Sequence, residues 1–140
     1  MLLNYKRKIY YHDTDCGGVV YYGNYLKFLE EARTDLFEQL GLSVKDLAEK
    51  EDVLFVVARQ EIDYKSPAVY GQVLDVKTWV EEIGRVKIWF GYEIKDPEGK
   101  VVVAARTLMV CVDPLIKKKR VPEHIAKKLG EIKVKLDAQP

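Results

Sequence analysis

The chain has 140 residues, of which 23 are Lys or Arg and 22 are Asp or Glu, so its formal net charge is +1. Its 48% of hydrophobic and 11% of aromatic residues exclude a largely disordered chain. The near-zero net charge argues against a nucleic-acid-binding protein, because such domains carry a strongly basic face. The length predicts a single domain over residues 1–140, with a polar C-terminal tail from about residue 131.

The amino-terminal residues and the cysteines bear on the cellular location. The start, MLLNYKRKIYY, has no long apolar stretch after its basic residues, so no signal peptide is expected. No run approaches the roughly 18 apolar residues of a transmembrane helix. The two cysteines, Cys16 and Cys111, are expected to be reduced thiols. A cytoplasmic protein without a membrane span is therefore expected.

The first half of the chain reads as a strand followed by a helix. A short strand is predicted at 5–12, and it ends in a turn with two carboxylates and two glycines at 13–18. Apolar residues at helical spacing predict a helix over 25–40, with Asn24 as its N-cap and Gly41 in the C′ position. One or two further helical turns are expected between Ser43 and Lys50.

From about residue 54 the apolar period changes from 3.6 to 2, which indicates strands. The predicted strands are 54–64, 72–83, 86–95 and 100–112, and a basic run (117–120) and a short helix (about 122–129) follow. Consecutive strands with short turns should pair antiparallel, with the long helix on one face, so an α+β fold is expected. The 100–112 strand is apolar on both faces, which predicts that another surface covers part of it.

The segment from Asp13 to Gly18 is the strongest candidate for chemistry. A carboxylate in a tight glycine turn stands a few residues before a helix start, where free N–H groups and the helix dipole favour a negatively charged oxygen. Such a carboxylate could act as a general base or a nucleophile. The alternative, that Asp13 and Asp15 only make turn hydrogen bonds, stays open here. A calcium loop is disfavoured, because its closing acidic position falls on Asn24.

These residues resemble the signature of a known enzyme family. Asp13-Thr14-Asp15, then Gly17-Gly18-Val19-Val20-Tyr21 and Asn24-Tyr25-Leu26, are similar to the hotdog-fold acyl-CoA thioesterases of the 4-hydroxybenzoyl-CoA thioesterase family. The branch linked to the Tol–Pal cell-envelope system is the most similar. The resemblance extends in weaker form to about residue 130.

The resemblance implies a hotdog fold, in which a five-stranded antiparallel sheet wraps around one long central helix, here 24–40. It also implies a homodimer, with the two sheets joined edge to edge, or a homotetramer formed as a dimer of dimers. Active sites of the family lie at the dimer interface. The implied reaction is hydrolysis of an acyl-CoA to the free acid and coenzyme A, without a metal or other cofactor, because coenzyme A is part of the substrate.

Site residues follow from the same resemblance. The catalytic carboxylate of the family matches Asp15, and the N–H that polarises the thioester carbonyl matches that of Tyr22. The Tol–Pal branch usually has His at the position of Tyr22, which leaves open whether that side chain helps in acid–base chemistry. The expected substrate-binding residues of this segment are Gly18, Val19 and Asn24. Lys65, Ser66 and Arg85 are added as candidates for the phosphates of coenzyme A, not from the resemblance but because they lie at the ends of predicted strands.

Several alternatives remain. His12 or a helix carboxylate, Glu30 or Glu31, could supply the acid–base group instead of Asp15. The basic residues that bind the phosphates of coenzyme A could also include Arg59, Lys87 or the 117–120 run. The substrate could be a thioester of acyl carrier protein, and a hydratase or a non-catalytic hotdog scaffold is also conceivable.

Overall fold

The computed structural model describes residues 2–133. The elements in chain order are β1 (Tyr5–Lys8), α1 (Asn24–Gln39), α2 (Val44–Glu51), β2 (Leu54–Tyr64), β3 (Val73–Ile83), β4 (Lys87–Lys95), β5 (Val101–Val112) and α3 (Glu123–Gly130). The strands form one five-stranded antiparallel sheet in the order β1-β3-β4-β5-β2. The expected α+β fold and all five strands are confirmed. No helix within residues 2–133 is both long and apolar enough to cross a bilayer.

The main difference from the sequence-based expectation lies in the first strand. The predicted strand 5–12 ends at Lys8, and residues Tyr11–Asp13 form a 3-10 turn. The turn forms because the Asp13 carboxylate accepts the Tyr10 N–H at 2.9 Å, which folds the chain back before a longer strand can pair. The expected polar tail from about residue 131 lies mostly outside the described residues, since 134–140 are not described.

Two compact units share the described chain. One comprises residues 2–36, 62–78 and 92–105, and the other comprises residues 37–61, 79–91 and 106–133.

In the first unit, α1 buries the apolar stripe that its sequence predicts. The side chains with little or no exposure are Tyr25, Phe28, Leu29, Ala32 and Leu36. The Arg7 guanidinium from β1 lies 4.5 Å from the centre of the Phe28 ring. Tyr92 from β4 accepts a 3.0 Å hydrogen bond from Arg33 on the same helix. These contacts hold the part of α1 that belongs to this unit against Arg7 of β1 and Tyr92 of β4.

In the second unit, α1 ends as its sequence predicts. Gly41 has a φ of 77°, its N–H donates to Glu38 O at 3.0 Å, and the Leu42 N–H donates to Phe37 O at 2.8 Å. This bonding is a Schellman motif, which needs a residue in the left-handed conformation at the C′ position. Helix α2 then begins behind Ser43, whose hydroxyl accepts the Asp46 N–H at 3.1 Å.

Candidate active site

The loop between β1 and α1 contains a tight turn at Asp15. The Asp15 N–H donates to Val19 O at 2.9 Å, and the Gly18 N–H donates back to Asp15 O at 3.1 Å. Gly18 has a φ of 81°, in the left-handed region that glycine adopts at no steric cost. The flanking residues Thr14 and Val20 pair as an antiparallel bridge. The backbone on both sides of Asp15 is therefore fixed by hydrogen bonds.

The side chain of Asp15 is exposed, and a backbone N–H orients it. Its Oδ1 accepts the Gly17 N–H at 2.7 Å. A Cβ at Gly17 would lie 3.2 Å from this oxygen, so any larger residue at position 17 would crowd the carboxylate. An exposed carboxylate that accepts one backbone hydrogen bond still has lone pairs for a water molecule or a substrate atom.

Asp13, the other carboxylate of the motif, is in a different environment. It is buried and forms two hydrogen bonds with the Arg7 guanidinium, at 2.9 Å and 3.3 Å. Burial alone would raise the pKa of Asp13, but the Tyr10 N–H and the Arg7 charge outweigh it and hold that pKa below its ordinary value. Asp13 therefore acts as a structural anion within the loop.

The alternative acid–base residues, Glu30, Glu31 and His12, either bond to other side chains or are exposed on the surface. Glu31 accepts hydrogen bonds from Arg7 Nε and from the Tyr5 hydroxyl, both at 3.0 Å, so its carboxylate belongs to the Arg7 network. Glu30 is exposed on α1. The His12 ring stacks on Tyr10 with 5.9 Å between centroids, and its Nε2 lies 3.5 Å from Asp13. Sequence reasoning missed Arg7, although Tyr5 and Arg7 stand two apart on one face of β1.

The first turn of α1 lies beside this loop, and Asp13 O connects the two. This carbonyl accepts the Tyr21 N–H at 3.0 Å and the Asn24 side-chain amide at 2.8 Å. Asn24 is thus the first helical residue and a donor to the loop, not the N-cap that its sequence position predicts. Within residues 2–133, the N–H groups of Tyr22 and Gly23 have no hydrogen-bond acceptor. Two backbone donors at a positive helix end are thus free to receive an oxygen.

An aromatic cluster surrounds the start of α1. Tyr21 and Tyr22 lie 4.8 Å apart between centroids, Tyr22 meets Tyr64 edge-on at 6.1 Å, and Tyr64 lies 5.8 Å from the buried Tyr25. The Tyr64 hydroxyl also donates to Tyr22 O at 3.4 Å. Tyr64 was not among the expected site residues, although its place at the end of β2, just before Lys65-Ser66-Pro67, was visible in the sequence. The cluster offers exposed aromatic faces beside the free N–H groups.

The expected substrate-binding residues fall into two groups. In the first unit, Gly18 and Val19 complete the Asp15 turn, and Val19 pairs with Val69. Lys65 is exposed, whereas the Ser66 hydroxyl donates to Val101 O at 2.7 Å. Arg85 belongs to the second unit, where its side chain is exposed and its carbonyl accepts the Val121 N–H.

Comparison with known proteins assigns the family. Residues 10–129 match the thioesterase-like superfamily. The acyl-CoA thioester hydrolase YbgC of Escherichia coli is 34% identical over 125 residues, which cover 89% of this chain and 92% of that protein. The 1,4-dihydroxy-2-naphthoyl-CoA hydrolase of Nostoc punctiforme is 31% identical over 126 residues, covering 89% of this chain and 84% of that protein.

A solved structure agrees with these sequence matches. The crystal structure of a 1,4-dihydroxy-2-naphthoyl-CoA thioesterase from Synechocystis superposes with a TM-score of 0.85 at 27% identity and covers 98% of both chains. The family resemblance that the motif at 13–26 indicated is thereby confirmed, and it extends over residues 10–129. This protein belongs to the thioesterase-like superfamily and is a thioester hydrolase with the hotdog fold.

Proposed function

We propose that this protein hydrolyses acyl-CoA thioesters to the free acid and coenzyme A, with Asp15 as its catalytic carboxylate. The observation that carries the proposal is the combination of an exposed, oriented carboxylate with the free N–H groups of Tyr22 and Gly23 in one loop-to-helix segment. Relatives named for acyl-CoA and dihydroxynaphthoyl-CoA hydrolysis support a coenzyme A thioester as the substrate.

Two routes lead from this geometry to the same products. As a general base, Asp15 takes a proton from a water molecule, whose oxygen attacks the thioester carbon. As a nucleophile, Asp15 attacks that carbon itself, and water later hydrolyses the resulting acyl–aspartyl anhydride. In both routes the carbon–sulfur bond breaks, the coenzyme A thiolate leaves, and it takes up a proton.

The N–H of Tyr22 has the role of an oxyanion donor in either route. Negative charge develops on the carbonyl oxygen as the attacking oxygen bonds to carbon, and a backbone N–H at a positive helix end stabilises it without having to reorganise. Because this donor is a main-chain group, the Tyr22 side chain need not match the His of related enzymes. Its ring, packed against Tyr21 and Tyr64, instead supplies an aromatic wall for the acyl group.

The remaining candidate residues are assigned to two parts of the substrate, the reacting thioester end and the nucleotide end. We assign Gly18, Val19 and Asn24 to the reacting end, because they shape the Asp15 turn and the first turn of α1. In the first unit, Lys65 and Ser66 are assigned to the nucleotide end, and Arg85, in the second unit, is a separate candidate for a phosphate contact. Exposed cations suit the phosphates of coenzyme A, and the Ser66 bond to Val101 O holds the Lys65–Ser66 step in place.

The proposal extends to assembly and location. Helix α1 is taken as the central helix around which the sheet wraps. The edge strand β2 is 11 residues long and carries Val57 with 51% exposure, and such an edge invites pairing with a second copy. A homodimer or a dimer of dimers in the cytoplasm is therefore proposed. The reaction requires no cofactor beyond the coenzyme A of the substrate.

The experiment is thiol release from short, medium, long and aryl acyl-CoAs, with the matching acyl-carrier-protein thioesters in parallel. Hydrolysis of at least one acyl-CoA in preference to its carrier-protein form supports the proposal and names the acyl class. Turnover of carrier-protein thioesters alone would move the substrate to the protein-bound class. A folded protein that hydrolyses neither the acyl-CoAs nor the carrier-protein thioesters would contradict the proposal and would favour a non-catalytic scaffold.

A further inference from the structure

The loop that follows β5 exposes two large aliphatic side chains. Leu115 is 75% exposed and Ile116 is 62% exposed, and they are adjacent in sequence. Ile116 has a φ of 62°, a conformation that is a genuine outlier for a β-branched residue. Exposed aliphatic side chains and a left-handed β-branched residue are both unfavourable in water. The fold therefore maintains Leu115 and Ile116, the tip of this loop, at a cost in free energy.

Hydrogen bonds define the shape of the tip. The Asp113 carboxylate accepts the Leu115 N–H at 2.9 Å and the Lys117 N–H at 3.0 Å, and the Asp113 N–H donates to Lys117 O at 2.9 Å. The loop therefore closes on itself, and the one acidic side chain in it is bonded to backbone. The tip is a built structure and not a loosely tethered segment.

Positive charge flanks the tip. Lys117, Lys118 and Arg120 are exposed, and no acidic residue occurs between Pro114 and Pro122. The fourth cation, Lys119, donates to the carbonyls of Glu51 and Asp52 at the end of α2, which ties the basic run to that helix. A protein of net charge +1 thus concentrates three exposed cations within four residues of an aliphatic tip.

We propose that the 113–120 loop binds the surface of an anionic lipid bilayer. Leu115 and Ile116 enter the interface between headgroups and acyl chains, while Lys117, Lys118 and Arg120 pair with lipid phosphates. Apolar insertion and a polybasic segment are each weak, and stable but reversible membrane binding takes two such signals together. A nucleotide phosphate would account for the cations but not for two aliphatic side chains directed into water.

The test is co-sedimentation of the full-length protein with phosphatidylcholine vesicles that contain either no anionic lipid or about 30% phosphatidylglycerol. Binding is expected only with the anionic vesicles, and it should weaken as salt is raised. The pair Lys117→Gln and Lys118→Gln should lower the partition coefficient by about 25-fold, or about fivefold per cation. The pair Leu115→Ser and Ile116→Ser should lower it by at least about tenfold.

Matched controls use exposed residues elsewhere on the chain. The pair Lys27→Gln and Lys45→Gln removes the same charge, and Leu3→Ser removes an aliphatic side chain that is 74% exposed. Both controls should bind anionic vesicles within about twofold of the unchanged protein. Unfolding curves of all variants confirm that each is folded.

Three results would overturn the proposal. One is equal or absent binding to both kinds of vesicle. Another is vesicle binding that free coenzyme A abolishes and that survives Leu115→Ser with Ile116→Ser, which would place the cations in a nucleotide site. The third is loss of self-association in the aliphatic double variant with no change in vesicle binding. Since the vesicles contain no thioester, these outcomes are independent of whether the acyl-CoA proposal holds.

Discussion

At the scale of single residues, two aspartates two positions apart have opposite environments. Asp13 is buried against Arg7 and the Tyr10 N–H, whereas Asp15 is exposed and accepts one backbone hydrogen bond. The Asp13 carboxylate is paired with the Arg7 charge, whereas the Asp15 carboxylate keeps lone pairs that can take part in a reaction. We infer that Asp13 holds the loop and that Asp15 reacts.

Asp13→Asn is expected to destabilise the fold by about 1.5–3 kcal/mol, because the amide has no negative charge and only one oxygen, so the Arg7 guanidinium loses its ion pair and one of its two acceptors. Urea unfolding at pH 7 measures the loss. The control is Asp46→Asn, since the Asp46 carboxylate is exposed and lies 3.7 Å from Lys50, and it should cost less than about 1 kcal/mol. Equal losses of unfolding free energy in the two variants would show that the buried Arg7–Asp13 pair stabilises the fold no more than an exposed pair does.

Acid should remove the contribution of Asp13. The folded state holds the pKa of Asp13 below its ordinary value, so the carboxylate stabilises the fold above about pH 4, the unfolded value. That contribution is lost as the pH falls through the lower, folded value. The stability gap between the unchanged protein and Asp13→Asn should therefore be constant from pH 5 to 7 and should shrink below about pH 4. Unfolding curves of both proteins from about pH 3 to 7 test this prediction. A stability gap that widens in acid would contradict the lowered pKa of Asp13.

The sequence does not predict the different environments of the two aspartates. The motif resemblance selects the second Asp, yet spacing alone treats both as turn residues. What separates them is Arg7, which meets Asp13 and Glu31 only after the loop has folded back on β1. Such a contact depends on tertiary geometry, so neither this network nor the role of Tyr64 was visible from the pattern.

At the scale of elements, apolar periodicity predicted most boundaries to within a residue or two. Strand β2 falls at 54–64 as predicted, and α1 begins and ends within one residue of its expected bounds. Strand β1 is the exception, since the run rich in Tyr and Ile extends to residue 12 but a hydrogen bond from the Tyr10 N–H to the Asp13 carboxylate ends the strand at Lys8. Local patterns predict where a strand can form, and a competing hydrogen bond decides where it stops.

The end of α1 gives a test at this scale. Gly41→Ala should destabilise the fold by about 1–2 kcal/mol, because Gly41 has a φ of 77° that a Cβ disfavours. Gly130→Ala is the control: Gly130 lies in α3 without a positive φ, and an added Cβ would come no nearer than 4.0 Å to Ile83. That control should be neutral or stabilising by up to about 1 kcal/mol. Thermal or urea unfolding compares them, and similar losses in both would contradict the conformational explanation.

At the scale of the whole molecule, the sheet has two edges, β1 and β2, and the longer one raises the question of a partner. Strand β2 has 11 residues against four in β1, and its exposed Val57 lies in the apolar run Leu54–Val57. The family resemblance implies dimers joined edge to edge, and β2 is the longer edge for such a junction. The proposed dimer therefore rests on the exposed edge of β2.

Val57→Lys should weaken that dimer, because each copy would then carry a cation on the edge strand that the two sheets share. We expect the dissociation constant to rise by at least about tenfold, about 1.4 kcal/mol. Light scattering coupled to size exclusion measures the mass over a range of concentrations. Val44→Lys on α2, where the side chain is 44% exposed, is the matched control and should leave the mass unchanged. A monomeric unchanged protein would contradict dimerisation altogether.

The measurement that tests the central proposal most directly is kcat/KM for Asp15→Asn with the best acyl-CoA of the substrate panel. We expect a loss of at least about 100-fold, the scale for removing a general base or nucleophile. The unfolding curve should be unchanged, because the Asp15 side chain is exposed. Asp46→Asn should retain full activity in the same assay. A folded Asp15→Asn variant with kcat/KM close to that of the unchanged protein would contradict the role assigned to this carboxylate.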